Sequence, residues 1–518
     1  MSKRPRGALG IEALDAARER VKESMEYASS LKGCQYADIR LGLVEYKSAN
    51  SENGSPKGME EEVKMSFGVR LVAGDMPAWG YYGQPLGKAD LRALRRIFRM
   101  GINKAYQRAR ANSRNKLAMK DLAPSLAPVQ LAPIEVCQDV LSAVFDEDPR
   151  EVPLKEVLAL AVKITKEMRG VSHCVRFAMI GLGTGISREL FQSTEGACLD
   201  QSTAITQAQL YVVAQKGTAV PETFVDHVGA QRGWEVTKGK NVYGKSFLDL
   251  AIERTRDTVE LSGAEFLPST DEPVVVVTDP HFNALLVHEV IGHPTEADRA
   301  LKMETAYAGR SWLLRSLSDN ELGKRIGSDL LTAFSDPGLE GYGHYKYDAE
   351  GVLAKRVVLI DKGILKGFMN SRESAAIMGM ESNGSMRATE CQYMPLVRMA
   401  NTVIAAGDRD PEEIITEVKD GYYVVNNRIP SISESRENFR ISAQKVYKIE
   451  DGKLVKLYRG GGISADSRDF FMSIDAVGND FIMFPIPNCG KGQPIQVMRV
   501  GNGGPTLRGK ARLTGEYK

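Results

Sequence analysis

Residues 273–294 read PVVVVTDPHFNALLVHEVIGHP. Pro273 to Thr278 is β-branched and apolar, the pattern of a strand buried on both faces. Asp279 then suits a helix N-cap, and Pro280 the first helical position. Ala284, Leu285, Leu286, Val287, Val290 and Ile291 make the following helix apolar nearly all round, so it belongs in a core. His288, Glu289 and His293 stand on that helix. A charged Glu289 is costly there unless something compensates it. A metal ion and its water would do so. The plainer reading makes His288 and Glu289 two satisfied core polar groups. Three polar groups on one apolar helix, in a chain with six histidines, favour the metal.

The spacing needs explanation. Zinc peptidases commonly carry H-E-x-x-H, with the two histidines on the metal and the glutamate acting on water. In this chain the histidines are at i and i+5. On a regular α-helix, i and i+4 lie roughly 40° apart, whereas i and i+5 lie about 140° apart and could not share an ion. Gly292 and Pro294 bracket His293 and suggest two remedies. Either the helix ends at Gly292 and His293 bends back, or a single π-type turn brings the rings together.

The chain has 518 residues, enough for about two to four domains. Hydrophobic residues make up 43% and charged residues 26%, an ordinary globular composition. A net charge of +2 gives no global reason to expect nucleic acid or a membrane surface. No run approaches the roughly 18 apolar residues that span a bilayer. The start, Met1 to Arg6, is basic but lacks a following apolar core, so it is not read as a secretory signal. Six scattered cysteines, none in a C-x-x-C pair, make no disulfide framework. The expected compartment is cytoplasmic, with reduced thiols free to ligate.

The coarse pattern is α+β. Residues 9–31 read as an amphipathic helix, and 36–41, 63–72 and 79–82 as strands. The polar stretch Ser48 to Pro56 reads as a loop. Asp90 to Lys116 carries Leu91, Leu94, Ile97, Phe98 and Ile102 on one helical stripe. Arg92, Arg95, Arg96 and Arg99 lie opposite, a solvated flank rather than a nucleic-acid face. Ala123-Pro124, Ala127-Pro128 and Ala132-Pro133 mark an extended surface crossing. A helix over 153–168 follows. Strands over 172–180 and 186–192 are expected next, with Gly181-Leu182-Gly183-Thr184-Gly185 as a hairpin turn rather than a phosphate loop. Another strand is expected over 207–213 and a helix over 246–262. A loop near 263–273 divides an N-terminal two-layer domain, 1–265, from a β-rich domain, 266–518, that carries the metal helix. Strands there are expected over 354–360, 366–369, 402–405, 421–425, 439–449 and 454–458.

A catalytic zinc needs about three protein ligands and an open position. Beyond His288 and His293, the candidates are Glu296, Asp298, His344, Cys391 and Cys489. Glu296 could ligate, or could orient His293. Lys491, two residues past Cys489, could favour a thiolate. Spacing alone does not choose among them.

The ordered segments HEVIGHPTEAD (288–298), YDAEG (347–351), PLVRMANT (395–402) and NCGKGQP (488–494) resemble the TldD/PmbA family of metallopeptidases, in its TldD-type catalytic branch. Gly68 to Val72 with Trp79-Gly80, and Ser193 to Gly196, are similar to its N-terminal part. That resemblance implies zinc held by His288, His293 and Cys489, with Glu289 as general base. It also implies peptides bound as extended strands at a sheet edge, and a homodimer or a heterodimer with a PmbA-type relative. PmbA-type members lack H-E-x-x-x-H, so its presence argues against that inactive role. Two features depart from the family: a cysteine segment shorter by a residue than the commonest form, and an expanded Arg310 to Lys324.

The expected function is therefore hydrolysis of peptide bonds in unfolded or short extended polypeptides. Two alternatives stand beside it: a non-catalytic interaction module with a structural zinc, and a metal-dependent amidase acting on small substrates. Arg398 and Asn401 are read either as substrate contacts or as structural residues.

Overall fold

The computed structural model describes residues 9–120, 127–306 and 309–515. The basic start and the Ala123-Pro124 pair lie outside the described residues. The chain is mixed α and β, with the predicted α+β character.

The N-terminal half is built on a sheet of seven strands, β1 (Cys34–Glu52), β2 (Ser55–Ala73), β3 (Ala78–Leu86), β4 (Gln138–Leu141), β5 (Val175–Ser193), β6 (Cys198–Ala214) and β7 (Glu222–Ala230). Their order is β3-β2-β1-β5-β6-β4, with β7 also paired to β6. Ser48 to Pro56 is not a loop. β1 and β2 run on to a two-residue turn, where Asn53 and Gly54 take φ of 50° and 79°. Positive φ at both positions is what a tight hairpin between twisted strands demands. Gly181 to Gly185 is not a turn either, because β5 passes straight through it. A Cβ at Gly183 or Gly185 would overlap the side chain of Tyr46 on neighbouring β1. These glycines make room for a cross-strand aromatic ring.

Four helices cover one face of this sheet: α1 (Arg18–Ser29), α2 (Leu94–Met119), α3 (Leu154–Gly170) and α4 (Phe247–Leu261). Strand alternation explains the two layers. Ala37, Ile39, Leu41 and Leu43 point into a core with Val21, Ile97, Phe98 and Ile102. Ala49, on the same face of β1, joins a core with Val157, Ile164 and Phe247. Arg92, Arg95, Arg96 and Arg99 are exposed on the far side of the 88–119 helical stretch.

The other face packs on the C-terminal half. Asp38, Arg40 and Gly42 alternate onto it, and Gly42 and Gly68 leave no space for a Cβ beside Cys391. Arg40 Nη2 donates to the Tyr393 carbonyl at 2.6 Å. Arg70 pairs with Asp38 on the facing strand and with Glu350 of the C-terminal half.

The C-terminal half has a six-stranded and an eight-stranded sheet. The chain enters the larger one at β8 (Glu265–Phe266), paired to Tyr458 and Arg459. β9 (Val274–Thr278) lies inside that sheet, parallel to Asp420–Ile432 and antiparallel to Leu507–Thr514. Pairing on both sides suits its Val run. Helix α5 (Pro280–Leu286) follows. Phe282, Leu286, Val287 and Ile291 share one core with Val424 and Ile441 of the larger sheet and Ile404 and Val500 of the smaller. The expected strand over 366–369 is absent. Pairing there ends at Ile364–Leu365, and Met369 makes only an isolated bridge with Glu296.

Candidate metal centre

Asp279 caps α5, its carboxylate accepting from the Phe282 amide at 2.7 Å, and Pro280 opens the helix. About two α-turns later the winding changes. Val287–Gly292 forms a π-type turn, and the His293 amide bonds the His288 carbonyl, five residues back. Of the two remedies for the i,i+5 spacing, the molecule uses the π-turn. The rings meet with centroids 4.7 Å apart and planes at 82°. The Thr295 hydroxyl lies 2.8 Å from the Ile291 carbonyl and 2.9 Å from that of Gly292, serving acceptors the wider turn leaves free.

Gly292 is required by a close approach, since a Cβ there would collide with Met399 Sδ. Gly292→Ala is expected to lower the unfolding free energy by roughly 1–3 kcal/mol, the usual cost of overpacking a filled core. Urea unfolding checks it, and an unchanged midpoint would show that Met399 simply moves aside.

Cys489 reaches the rings from the strand Ile482–Lys491, at the edge of the six-stranded sheet. It therefore lies on a strand, not in a loop. The register with the neighbouring strand shifts between Ile486 and Cys489, a bulge of the kind that re-aims side chains. His288, His293 and Cys489 are all buried, and one ligand atom from each lies within 4.8 Å of the others. Cys489 Sγ is 3.6 Å from His293 Nε2.

The second ring nitrogens are held from behind. His288 Nδ1 lies 3.0 Å from Asn502 Oδ1. Asn502 Nδ2 donates to the Thr402 carbonyl, so its oxygen must face the ring and His288 Nδ1 carries the proton. His293 Nδ1 donates to Glu296 Oε2 at 3.1 Å. Both Nε2 atoms are thereby left for a cation. Burial alone would raise the Cys489 thiol, but Arg398, His288 and His293 outweigh it and hold the thiol well below its usual range. Burial opposes charge on His288 too, yet the Cys489 thiolate, Glu289 and Asn502 push it up to about 9, so a cation binding at Nε2 displaces a proton from it.

The other candidates are elsewhere. Glu296 Oε2 also takes Arg299 at 2.9 Å and Lys491 at 3.2 Å. Despite burial, the cations Lys491, His293 and Arg299 hold Glu296 well below the usual carboxylate range. It orients His293 through Oε2, where the cations also gather, while its buried Oε1 takes no hydrogen bond among the described residues. Asp298 accepts from Lys491 and from the Val397 amide. Lys491 thus serves these two carboxylates rather than Cys489. The cation acting on the thiol is Arg398, whose guanidinium donates to the Cys489 and Gln496 carbonyls. Asn401 bonds the Leu339 carbonyl and the Gly343 amide. Both are fully buried, which makes them structural rather than substrate contacts. His344 donates to the Pro337 carbonyl and lines a different cavity. Cys391 donates to Glu189 at the junction of the halves.

The three donors and Glu289 line a cavity of about 620 Å³. Asp226 and His227, from β7, close its other side, so both halves form the cleft. Glu289 is partly exposed there, and its Oε2 lies 2.6 Å from Nη1 of Arg436. Arg436 has φ of 70°. A left-handed conformation costs a non-glycine residue of order 1–3 kcal/mol. Asn502 and Arg436 carry no signal of their role in the sequence, since each acts through a neighbour far along the chain.

A family profile described as the PmbA/TldA metallopeptidase C-terminal domain matches residues 271–512. A metalloprotease of Methanocaldococcus jannaschii is 28% identical over 482 residues, covering 91% of this chain and 95% of that one. A protein named metalloprotease TldD homolog, from Buchnera aphidicola subsp. Schizaphis graminum, is 30% identical over 478 residues, covering 91% of each chain. This chain belongs to the TldD/PmbA family of metallopeptidases. The fold agrees. TldE from Thermococcus kodakarensis superposes with a TM-score of 0.66 at 16% identity, over 94% of this chain and 99% of that one. Within the TldD/PmbA family, both segments that departed from the expected pattern have structural surroundings here. The cysteine segment is a strand end turning at Gly492, and Arg310 and Trp312, at the start of the expanded segment, bond to the turn that carries Arg436.

Proposed function

We propose that this chain is a zinc-dependent peptidase that cleaves unfolded or short extended polypeptides, with His288, His293 and Cys489 on the metal and Glu289 as general base. One observation carries the reading. Two imidazole nitrogens and a thiolate converge beside a carboxylate on the wall of an open cleft. The donor set suits zinc, which takes nitrogen and sulfur readily. Each ligand is oriented from behind, by Asn502, Glu296 or the bulged strand. Among the described residues three donors gather, not four, which supports a catalytic rather than a closed structural site.

When bound, zinc supplies Lewis acidity and makes water nucleophilic near neutral pH. Glu289 accepts the proton of the attacking water and delivers it to the leaving amine. Ile482–Lys491 ends its sheet, and Phe484 to Gly490 line the cleft. An extended peptide added to that edge would be held through its main chain, with little dependence on side chains. An open groove favours such peptides over small amides. The division at 265/266, a cytoplasmic location and pairing with a second copy or a PmbA-type relative belong to the same reading. Among the described residues no helix is long and apolar enough to cross a membrane.

The test is zinc content of the wild type and of Cys489→Ser, followed by digestion of an unstructured peptide mixture. Stoichiometric zinc with cleavage in the wild type, and depleted zinc in the variant, are expected. Undiminished zinc in Cys489→Ser would remove that ligand.

A further inference from the structure

We propose that Arg436 is a positioning residue that fixes the Glu289 carboxylate at the wall of the metal cleft. The inference rests on reading Glu289 as the base. The two side chains are 9% and 13% exposed, so this is not a solvated surface pair. Arg436 holds one carboxylate oxygen, Oε2, at 2.6 Å. Among the described residues Oε1 carries no hydrogen bond from protein and remains open to a proton from the cleft. A base that must receive a proton at one oxygen needs its other oxygen anchored, or the side chain spreads over its rotamers and the productive geometry is populated only part of the time.

The anchor is itself anchored. Arg436 sits in the turn between the strands Asp420–Ile432 and Asn438–Glu450. The Arg310 and Trp312 amides donate to the Glu434 and Ser435 carbonyls, each at 2.8 Å. Ser467 Oγ donates to the Arg436 carbonyl at 2.8 Å, and its amide to that of Glu437 at 2.7 Å. Two of these clamps come from the start of the expanded Arg310 to Lys324 segment. That segment is therefore given a role, holding an arginine in a conformation the backbone disfavours. Strain kept in place by so many bonds, next to a cleft carboxylate, is the pattern of a site organised for function.

Arg436→Gly separates this role from simple stability, because glycine accepts φ of 70° readily. We expect kcat on an unstructured peptide to fall roughly 10- to 100-fold. KM should stay within about twofold, zinc content should not change, and the melting temperature should not fall, because relaxed strain offsets the lost ion pair. Arg436→Lys should recover part of kcat, and added guanidinium should recover part in Arg436→Gly. Arg436→Gly combined with Glu289→Gln should be no slower than Glu289→Gln alone, since a positioning residue has nothing left to position. Unchanged kcat in Arg436→Gly, or a loss that tracks zinc or KM, would overturn the proposal. So would an additive double variant. If Glu289→Gln itself turns over normally, the peptidase reading fails instead, and the two failures are told apart.

Discussion

Glu289→Gln is expected to retain zinc and to lose peptide cleavage by roughly 10²- to 10⁴-fold, the usual contribution of a general base. The substitution is nearly isosteric. Its amide oxygen can still accept from Arg436, and the π-type turn that carries it is held by His288, Gly292 and Thr295 rather than by the Glu289 side chain. What the amide lacks is basicity. It cannot take a proton from water near neutral pH, nor carry one to the departing amine. Zinc measured on the same preparation decides the meaning of the result. Inactive protein with full zinc places the loss in proton transfer, whereas inactive protein without zinc would make Glu289 part of the metal's support. Full activity in zinc-loaded variant protein would remove Glu289 as the base. Cys489→Ser forms the contrast, because there metal and activity are expected to fall together.

The parts of the site that could be read from sequence are those where chemistry is concentrated in a few adjacent residues. Val274 to Val277, Asp279, Pro280 and the apolar helix announce β9, its turn and α5 by composition alone. The misfit of i,i+5 to an α-helix pointed to an irregular turn, and Gly292 with Pro294 marked its place. Cys489 was different. Nothing in its spacing distinguishes it from Cys391, because a ligand brought by a distant strand obeys sheet register and not chain distance; only the family likeness separated the two. Asn502, Arg398 and Arg436 share that difficulty. Glycine misled in two directions. Gly181 to Gly185 looks like a turn, yet it is straight strand hollowed out for Tyr46. Asn53-Gly54 is a strong hairpin signal, but the polar residues around it hid the strands running up to it. The strands Gly462–Asp466, Ile482–Lys491, Gln496–Gly504 and Leu507–Thr514 went unread. Prolines in Ile482–Lys491 and glycines in Gln496–Gly504 break the alternation that marks a strand on sequence, whereas Leu507–Thr514 keeps a clean alternation that was passed over.

Arg70→Ala is expected to destabilise the protein by roughly 3–5 kcal/mol, the cost of orphaning a buried charge. Arg70 and Asp38 are direct cross-strand neighbours on β2 and β1, on the face that meets the C-terminal half. Arg70 Nε lies 3.1 Å from Asp38 Oδ2, and Nη1 lies 3.1 Å from Glu350 Oε1. Every side chain in the triad is 1% exposed. Tyr36 donates to the same Asp38 oxygen at 2.9 Å. Removing the guanidinium leaves two carboxylates facing each other where water cannot enter, and neither has another cation at that distance among the described residues. Distance alone does not set the size of the effect. Lys238 and Glu147 are also close, at 2.6 Å, but are 60% and 39% exposed. Lys238→Ala should therefore cost at most about 1 kcal/mol. Urea unfolding of the two variants tests the difference. Adding Asp38→Asn and Glu350→Gln to Arg70→Ala should recover part of the loss, because the repulsion goes even though the hydrogen bonds do not. The same triad holds together the two halves that wall the cleft, so activity should fall along with stability in Arg70→Ala and return with it in the triple variant. Equal costs for Arg70→Ala and Lys238→Ala would mean that water reaches the junction, and the dry-interface account of how the halves are joined would be wrong.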